Sequence, residues 1–226
     1  MKLRTFGLAL VAALGLAACG DDNDNDITSR LRVVHLSPDA AAMDVFVGDT
    51  REFTNVTFAV PTDYQDVATG TQTLRFVATG DTTTLGSGDE ELELSQSYTL
   101  LATGFADAVT PLLLSDTTDA PESGKIRVRI VHASPSTGAV DVYVGDPTDD
   151  ISTVTSTLSN VTFGDASNYL TLDEGTYRVR LTEVGDTEAV LDEEITLSEG
   201  AVRTVIARDA VGGGVPAEVV VLDDRS

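Results

Sequence analysis

Two histidines occur in the chain, His35 and His132, and each heads the same short run of reactive side chains. His35 is followed by Ser37 and Asp44, and His132 by Ser134 and Asp141. A serine, an imidazole and a carboxylate are the parts of a nucleophilic hydrolase, provided they come within hydrogen-bond reach in that order beside oxyanion donors. Their crowding along one extended segment argues against that assembly. If the strand is regular, His132 shares the inward face of Val128 and Ile130, while Arg129 and Val131 turn away to the wet side. The expected role is then structural: an imidazole at the inner end of a strand, just before a Ser-Pro turn, bonding loop backbone. Zinc needs three or four ligands, and each copy offers one His and no Cys, so no metal site is expected there.

Asp44 and Asp141 stand beside the turn and are expected to accept from its backbone or to pair with an Arg. Calcium ligation is the alternative, because hard oxygen donors are plentiful in so acidic a chain, but no D-x-D-x-D-G loop is present. Asp22, Asp24 and Asp26 start like such a loop, yet Ile27 stands where it needs Gly and Val33 where it needs a bidentate Glu. The run VGGGVP at 211–216 lacks the Lys and Ser/Thr of a phosphate loop and reads as a flexible hairpin connection.

The elements that hold these residues come twice. RVVHLSPDAAAMDVFVGD, residues 32–49, returns without a gap as RIVHASPSTGAVDVYVGD, residues 129–146. Asn55-Val56-Thr57-Phe58 and Tyr64 return as Asn160-Val161-Thr162-Phe163 and Tyr169, and Leu74-Arg75-Phe76 as Val179-Arg180-Leu181. The offset between copies grows by about eight residues across 146–157, so copy two carries an insertion there, as suits a surface loop between strands. Short apolar runs broken by Pro, Gly and Asp predict about eight strands per copy, among them 31–36, 43–47, 53–58 and 91–94. In TYRVRLTE, Tyr177, Val179 and Leu181 alternate with Arg178, Arg180 and Thr182, the period-2 signature of a sheet packed on one side. Phe46 and Tyr143 fall on the polar face, as a contact surface or as cross-strand packing.

The expected fold is therefore all-β: two tandem antiparallel β-sandwiches, immunoglobulin-like or transthyretin-like, at 29–114 and 125–226, joined by a polar linker at 115–124. Before them, Lys2 and Arg4 precede a 13-residue apolar run that is too short for a bilayer span, which takes roughly 20 residues, and that has the form of a signal peptide. It ends in Leu16-Ala17-Ala18-Cys19, which resembles a bacterial lipobox. That resemblance implies cleavage after residue 18 and diacylglycerol on Cys19, with 19–28 as an acidic tether and the membrane as a partner through the lipid. Gly20 is compatible with outer-membrane delivery in a Gram-negative host, so the expected location is the cell envelope, facing the periplasm or the surface. Cys19 is the single Cys, which leaves no intramolecular disulfide.

Of 14 basic residues, processing removes Lys2 and Arg4, leaving 12 against 37 acidic ones, a net charge of −25. Phosphate binding needs clustered Lys and Arg, so nucleic acid is excluded as a partner. Acid excess with Lys125 as the one remaining lysine resembles surfaces adapted to salty habitats.

The paired V-H-x-S-P and D-V-x-V-G-D motifs, then N-V-x-F, then Y-x-x-x-x-x-G-T at 64–71 and 169–176, resemble the bacterial and archaeal domain-of-unknown-function 4397 family. The resemblance spans about 30–222 and implies small β-sandwiches in tandem on secreted or lipid-anchored proteins, with no established activity. The functions expected are a non-catalytic, lipid-anchored envelope module that binds protein or polysaccharide, or an envelope scaffold. A calcium-assisted adhesion module and a hydrolase using His35 or His132 are the alternatives; no cofactor other than calcium enters any of them.

Overall fold

A computed structural model describes residues 28–117, 119–215 and 217–225; the expected signal segment, Cys19 and the expected tether up to residue 27 lie outside them. Among the described residues every regular element is a strand. Copy one contributes β1 (Thr28–His35), β2 (Met43–Val47), β3 (Thr50–Val56), β4 (Gln65–Ala68), β5 (Gly70–Ala78), β6 (Thr84–Leu92), β7 (Ser97–Thr103) and β8 (Thr110–Asp116). Copy two follows in the same order as β9 (Lys125–Ala133), β10 (Val140–Gly145), β11 (Leu158–Val161), β12 (Leu170–Asp173), β13 (Gly175–Glu183), β14 (Ala189–Leu197), β15 (Val202–Arg208) and β16 (Glu218–Asp223).

Each copy is a sandwich of two four-stranded sheets. An inner sheet runs β4-β1-β7-β8 or β12-β9-β15-β16, and an outer sheet β3-β2-β5-β6 or β11-β10-β13-β14. Alternation decides what lies between them: Leu31, Val33, Val45, Leu74, Phe76 and Leu100 fill the first core, and Ile126, Val128, Val142, Val179, Leu181 and Val205 the second. At about 1.5–3 kcal/mol for each fully buried aliphatic or Phe side chain, these layers supply most of the driving force. The sheets are not purely antiparallel as expected, because β1 pairs parallel with β7 and β9 with β15.

The inner strands are apolar on both faces. Val34, Leu36, Leu101 and Leu114 of copy one form a third core with Val131, Ala133, Ile206, Val220 and Leu222 of copy two. The two inner sheets therefore pack against each other, and the molecule is a stack of four β-layers. This corrects the expectation that Arg129 and Val131 face water: they are 4% and 0% exposed. It also shortens the linker, since β8 continues through Ser115 and Asp116.

Strand β3 ends at Val56 rather than reaching Phe58, which bridges His35 of β1 instead, and the chain turns at Ala59, φ 59°. One extra residue of β3 is accommodated opposite Met43 and Val45, and one of β11 opposite Val140 and Val142, a bulge at the same place in both copies. Where 91–94 reads as a short strand in the sequence, β6 starts earlier, at Thr84, and pairs along most of β5 through the small residues Gly86 and Gly88.

Candidate functional site

The two histidine turns have nearly the same construction. In copy one, Nδ1 of His35 accepts the Ser37 N–H at 3.2 Å, and Nε2 faces the Ala40 carbonyl at 3.4 Å. In copy two, Nδ1 of His132 accepts the Ser134 N–H at 3.4 Å, and Nε2 lies 3.0 Å from the Gly138 carbonyl. These partners define a neutral ring protonated at Nε2, with both nitrogens engaged by backbone. Burial pushes the His35 pKa below its ordinary value. Ser134 Oγ turns to a different carboxylate, donating to Asp209, which is 0% exposed. Ser37 Oγ is buried without a partner. The structure thus places His and Ser in one turn without the serine-to-imidazole bond that activates a nucleophile.

Asp44 and Asp141 lie elsewhere, on the outer sheets. Asp44 accepts the Asn55 N–H at 2.9 Å, the Thr79 hydroxyl at 2.8 Å and Arg51 Nη1 at 3.2 Å. The Asn55 bond leads in holding its carboxyl below the usual range. Asp141 accepts the Asn160 N–H at 2.9 Å and the Gly185 N–H at 3.4 Å. Each Asp therefore clasps the bulge whose Asn takes positive φ, which ties the D-V-x-V-G-D motif to N-V-x-F. Among the described residues no group of three or more His, Cys, Asp or Glu is arranged to hold a metal ion.

The densest cluster of charges was missed from sequence and lies between the copies. Arg32 of β1 donates to the Asp224 carboxylate of copy two and to the Asp223 carbonyl at 2.6 Å. Arg129 of β9 returns the arrangement, donating to Asp116 of copy one at 2.5 Å and to the Ser115 carbonyl at 2.8 Å. Each Arg also donates through Nε to a threonine of its own copy, Thr99 at 2.7 Å or Thr204 at 3.0 Å. Those threonines donate onward to Asp116 and Asp224 at 2.6 and 2.7 Å. The Tyr64 and Tyr169 hydroxyls close the set on the same carboxylates at 2.7 and 2.8 Å, with Arg32 and Arg129 each 4.8 Å from the ring of their own copy's tyrosine. Burial raises both tyrosine pKa values, and it raises that of Asp224 against the opposing bond from Thr204 and the Arg charges. The available signal was an Arg repeated inside an apolar strand, R-V-V-H and R-I-V-H, together with the repeated Tyr.

At one rim of this interface the glycine run of copy two seats on copy one. The Gly212 N–H donates to the Pro38 carbonyl at 2.8 Å, and Gly213, at φ 88°, sits where a Cβ would come 3.3 Å from the Phe105 ring. The run joins β15 to β16 but is docked, not free.

The outer faces are where the copies diverge. In copy one, β2 turns into β3 at Gly48, φ 58°, and Arg75 lies 4.0 Å over the Phe46 ring. In copy two the segment 146–157 folds back on the sheet: the Pro147 carbonyl accepts Arg178 Nη1 at 3.3 Å and the Asp149 carbonyl accepts Arg180 Nη1 at 2.8 Å. Asx-type bonds donated by the Thr148 N–H to Asp146 and by the Ser152 N–H to Asp150, both 2.9 Å, stiffen the loop. Arg178 is pinned by Asp192 through two 2.6 Å bonds.

A tandem of sandwiches with motif residues spent on turns, bulges and the joint between copies defines a β-sandwich module. The chain belongs to the DUF4397 family, a domain of unknown function whose model matches residues 29–143 and 145–226. No curated protein matches it. Solved structures with similarity include an α-glucan-binding streptococcal virulence factor, at 12% identity over 79% of this chain and 92% of that one, TM-score 0.27. Another is a family 26 carbohydrate-binding module of Eubacterium rectale Amy13K in complex with maltoheptaose, at 11% identity over 86% and 96%, TM-score 0.27.

Proposed function

We propose that the chain is a non-catalytic cell-envelope module, anchored through lipid on Cys19, that binds a polysaccharide or protein partner at one place, the outer face of copy two. The observation that carries this reading is the insertion 146–157, folded onto that face and held by Arg178 and Arg180 where copy one has only a tight turn. The shared motif residues are spent on turns, bulges and the joint, so a partner site belongs where the copies differ. Two copies do not offer bivalent binding on this reading, because their inner sheets are buried against each other and copy one lacks the insertion.

Two experiments test it. Replacing 146–157 with the short turn of copy one should abolish capture of the partner by the mature fragment in pull-downs from envelope extracts while leaving the fold intact. Capture that survives the replacement would move the partner site off the insertion, and no capture by the unaltered fragment would favour a scaffold role for the stack. Separately, Cys19→Ser should move the protein from the membrane to the soluble fraction, and a variant that stayed in the membrane would sink the anchor.

A further inference from the structure

Arg180 is 5% exposed, yet of its guanidinium only Nη1 is bonded, while Nε and Nη2 are buried with no partner. A guanidinium carries five N–H groups and does not deprotonate, so leaving several of them covered and unbonded carries a desolvation penalty that a protein normally relieves. Copy one has no such deficit at the same register: Arg75 faces Phe46 across the strands as Arg180 faces Tyr143, and it rests on that ring. The insertion creates the deficit. Beside it lies a cavity of about 60 Å³ lined by Tyr143, Asp149, Val154, Thr155, Thr157 and Arg180. That space holds a few oxygen-sized groups at ~10–15 Å³ each, and it is far below the ~300 Å³ or more that encloses a whole small-molecule ligand.

The surrounding charge decides what kind of group fits. The Arg180 charge helps hold the Asp150 and Asp192 carboxyls below their usual range, in each case behind a closer hydrogen bond from Ser152 or Arg178. Asp149 lines the cavity itself. An anion entering here would meet the Asp149 carboxylate, with Asp150 and Asp192 already competing for the Arg180 charge, whereas a neutral hydroxyl accepts from the guanidinium and donates back to oxygens. We infer that Arg180 and this cavity form a carbohydrate site: two vicinal hydroxyls of a neutral sugar enter the cavity, the covering insertion gives way so that they accept from Nε–H and Nη2–H, and the ring stays outside against Tyr143. This rests on the reading of the chain as a binding module and names its ligand class.

The probes are soluble neutral polysaccharides (an α-glucan, a mixed-linkage β-glucan, a mannan and a galactan) with alginate as the anionic control, each cast into native gels run with the full mature chain. At least one neutral polymer should retard the wild type, and Arg180→Met should weaken that retardation by about tenfold or more, the loss of a pair of charged hydrogen bonds. Arg75→Met, the copy-one equivalent, should leave it unchanged. Should R180M fail to fold, the turn replacement of 146–157 serves instead, since copy one shows that a sandwich folds with the short turn. No retardation by any neutral polymer, or retardation by alginate alone, overturns the carbohydrate inference; the pull-down through the insertion then still decides whether the module binds there at all. Retardation that persists equally in R180M and the turn replacement overturns the assignment to Arg180 and places the sugar elsewhere on the chain.

Discussion

His35 and His132 hold their turns only while neutral, because each ring must accept at Nδ1 and donate at Nε2. The unfolded chain takes up a proton near the ordinary pH of 6.5, and folded His35 only at lower pH because burial disfavours the cation. Its contribution to stability is therefore fully present above 6.5 and is lost as pH falls through the folded value. Melting temperatures followed from pH 7.5 to 5 should fall for the wild type and fall less steeply for His35→Gln; equal slopes would contradict the assignment. Asn160, at φ 54°, makes a second test at this scale. Asn160→Val should lower stability by about 1–2 kcal/mol in denaturant titrations, because a β-branched side chain resists the left-handed region, whereas Asn160→Gly should be nearly neutral. The inward placement of the histidines was legible from period-2 alternation. An Arg partner is among the expectations for Asp44, and Arg51 fills it. That both Asp accept from the Asn of a bulge was not legible, because the bulge lies in the partner strand and the pairing register cannot be read from either strand alone.

Among elements, the inner sheets meet through exchanged charges: Arg32 reaches across to Asp224, and Arg129 to Asp116. All four are buried, so removing one partner strands a charge inside protein. Asp224→Ala should cost about 3–5 kcal/mol, and Arg32→Met combined with Asp224→Leu should regain much of that loss, since an apolar pair of similar volume avoids desolvating two ions. A double variant no more stable than the single one would refute this account. Glycine spacing sets another limit. A Cβ on Gly86 of β6 would lie 1.7 Å from the Val109 carbonyl oxygen, so Gly86→Ala should destabilise the chain by more than about 2 kcal/mol. The eight strands of each copy could be read from turn residues and apolar runs. Their sheet order could not, since the parallel pairing of β1 with β7 joins segments far apart in sequence.

For the whole molecule, the third core and the exchanged ion pairs bind the copies into one body. Calorimetry should record a single cooperative transition rather than two, and a nick within 117–124 should leave the halves associated on gel filtration. The chain's net charge of −23 opposes compaction, and salt screens it, so the melting temperature should rise between low and high ionic strength. Marked destabilisation by salt would count against a saline habitat. Duplication itself was plain in the sequence, but alternating patterns describe one face packed and one wet. That the second face of β1 and β9 is packed as well depends on a neighbour that periodicity within either copy cannot announce.

The joint between the copies has a consequence for arithmetic. Each copy lends its Arg to the other's Asp and uses its own Thr and Tyr to position its own Asp for the other's Arg, so the two halves are related as the subunits of a symmetric pair are. Such a surface is complementary to itself and is exhausted by one encounter. A third repeat with the same four residues would find no counterpart in its own chain. Repeats of this kind should therefore occur in even numbers, or, where one stands alone, should recruit a second chain to complete the pair.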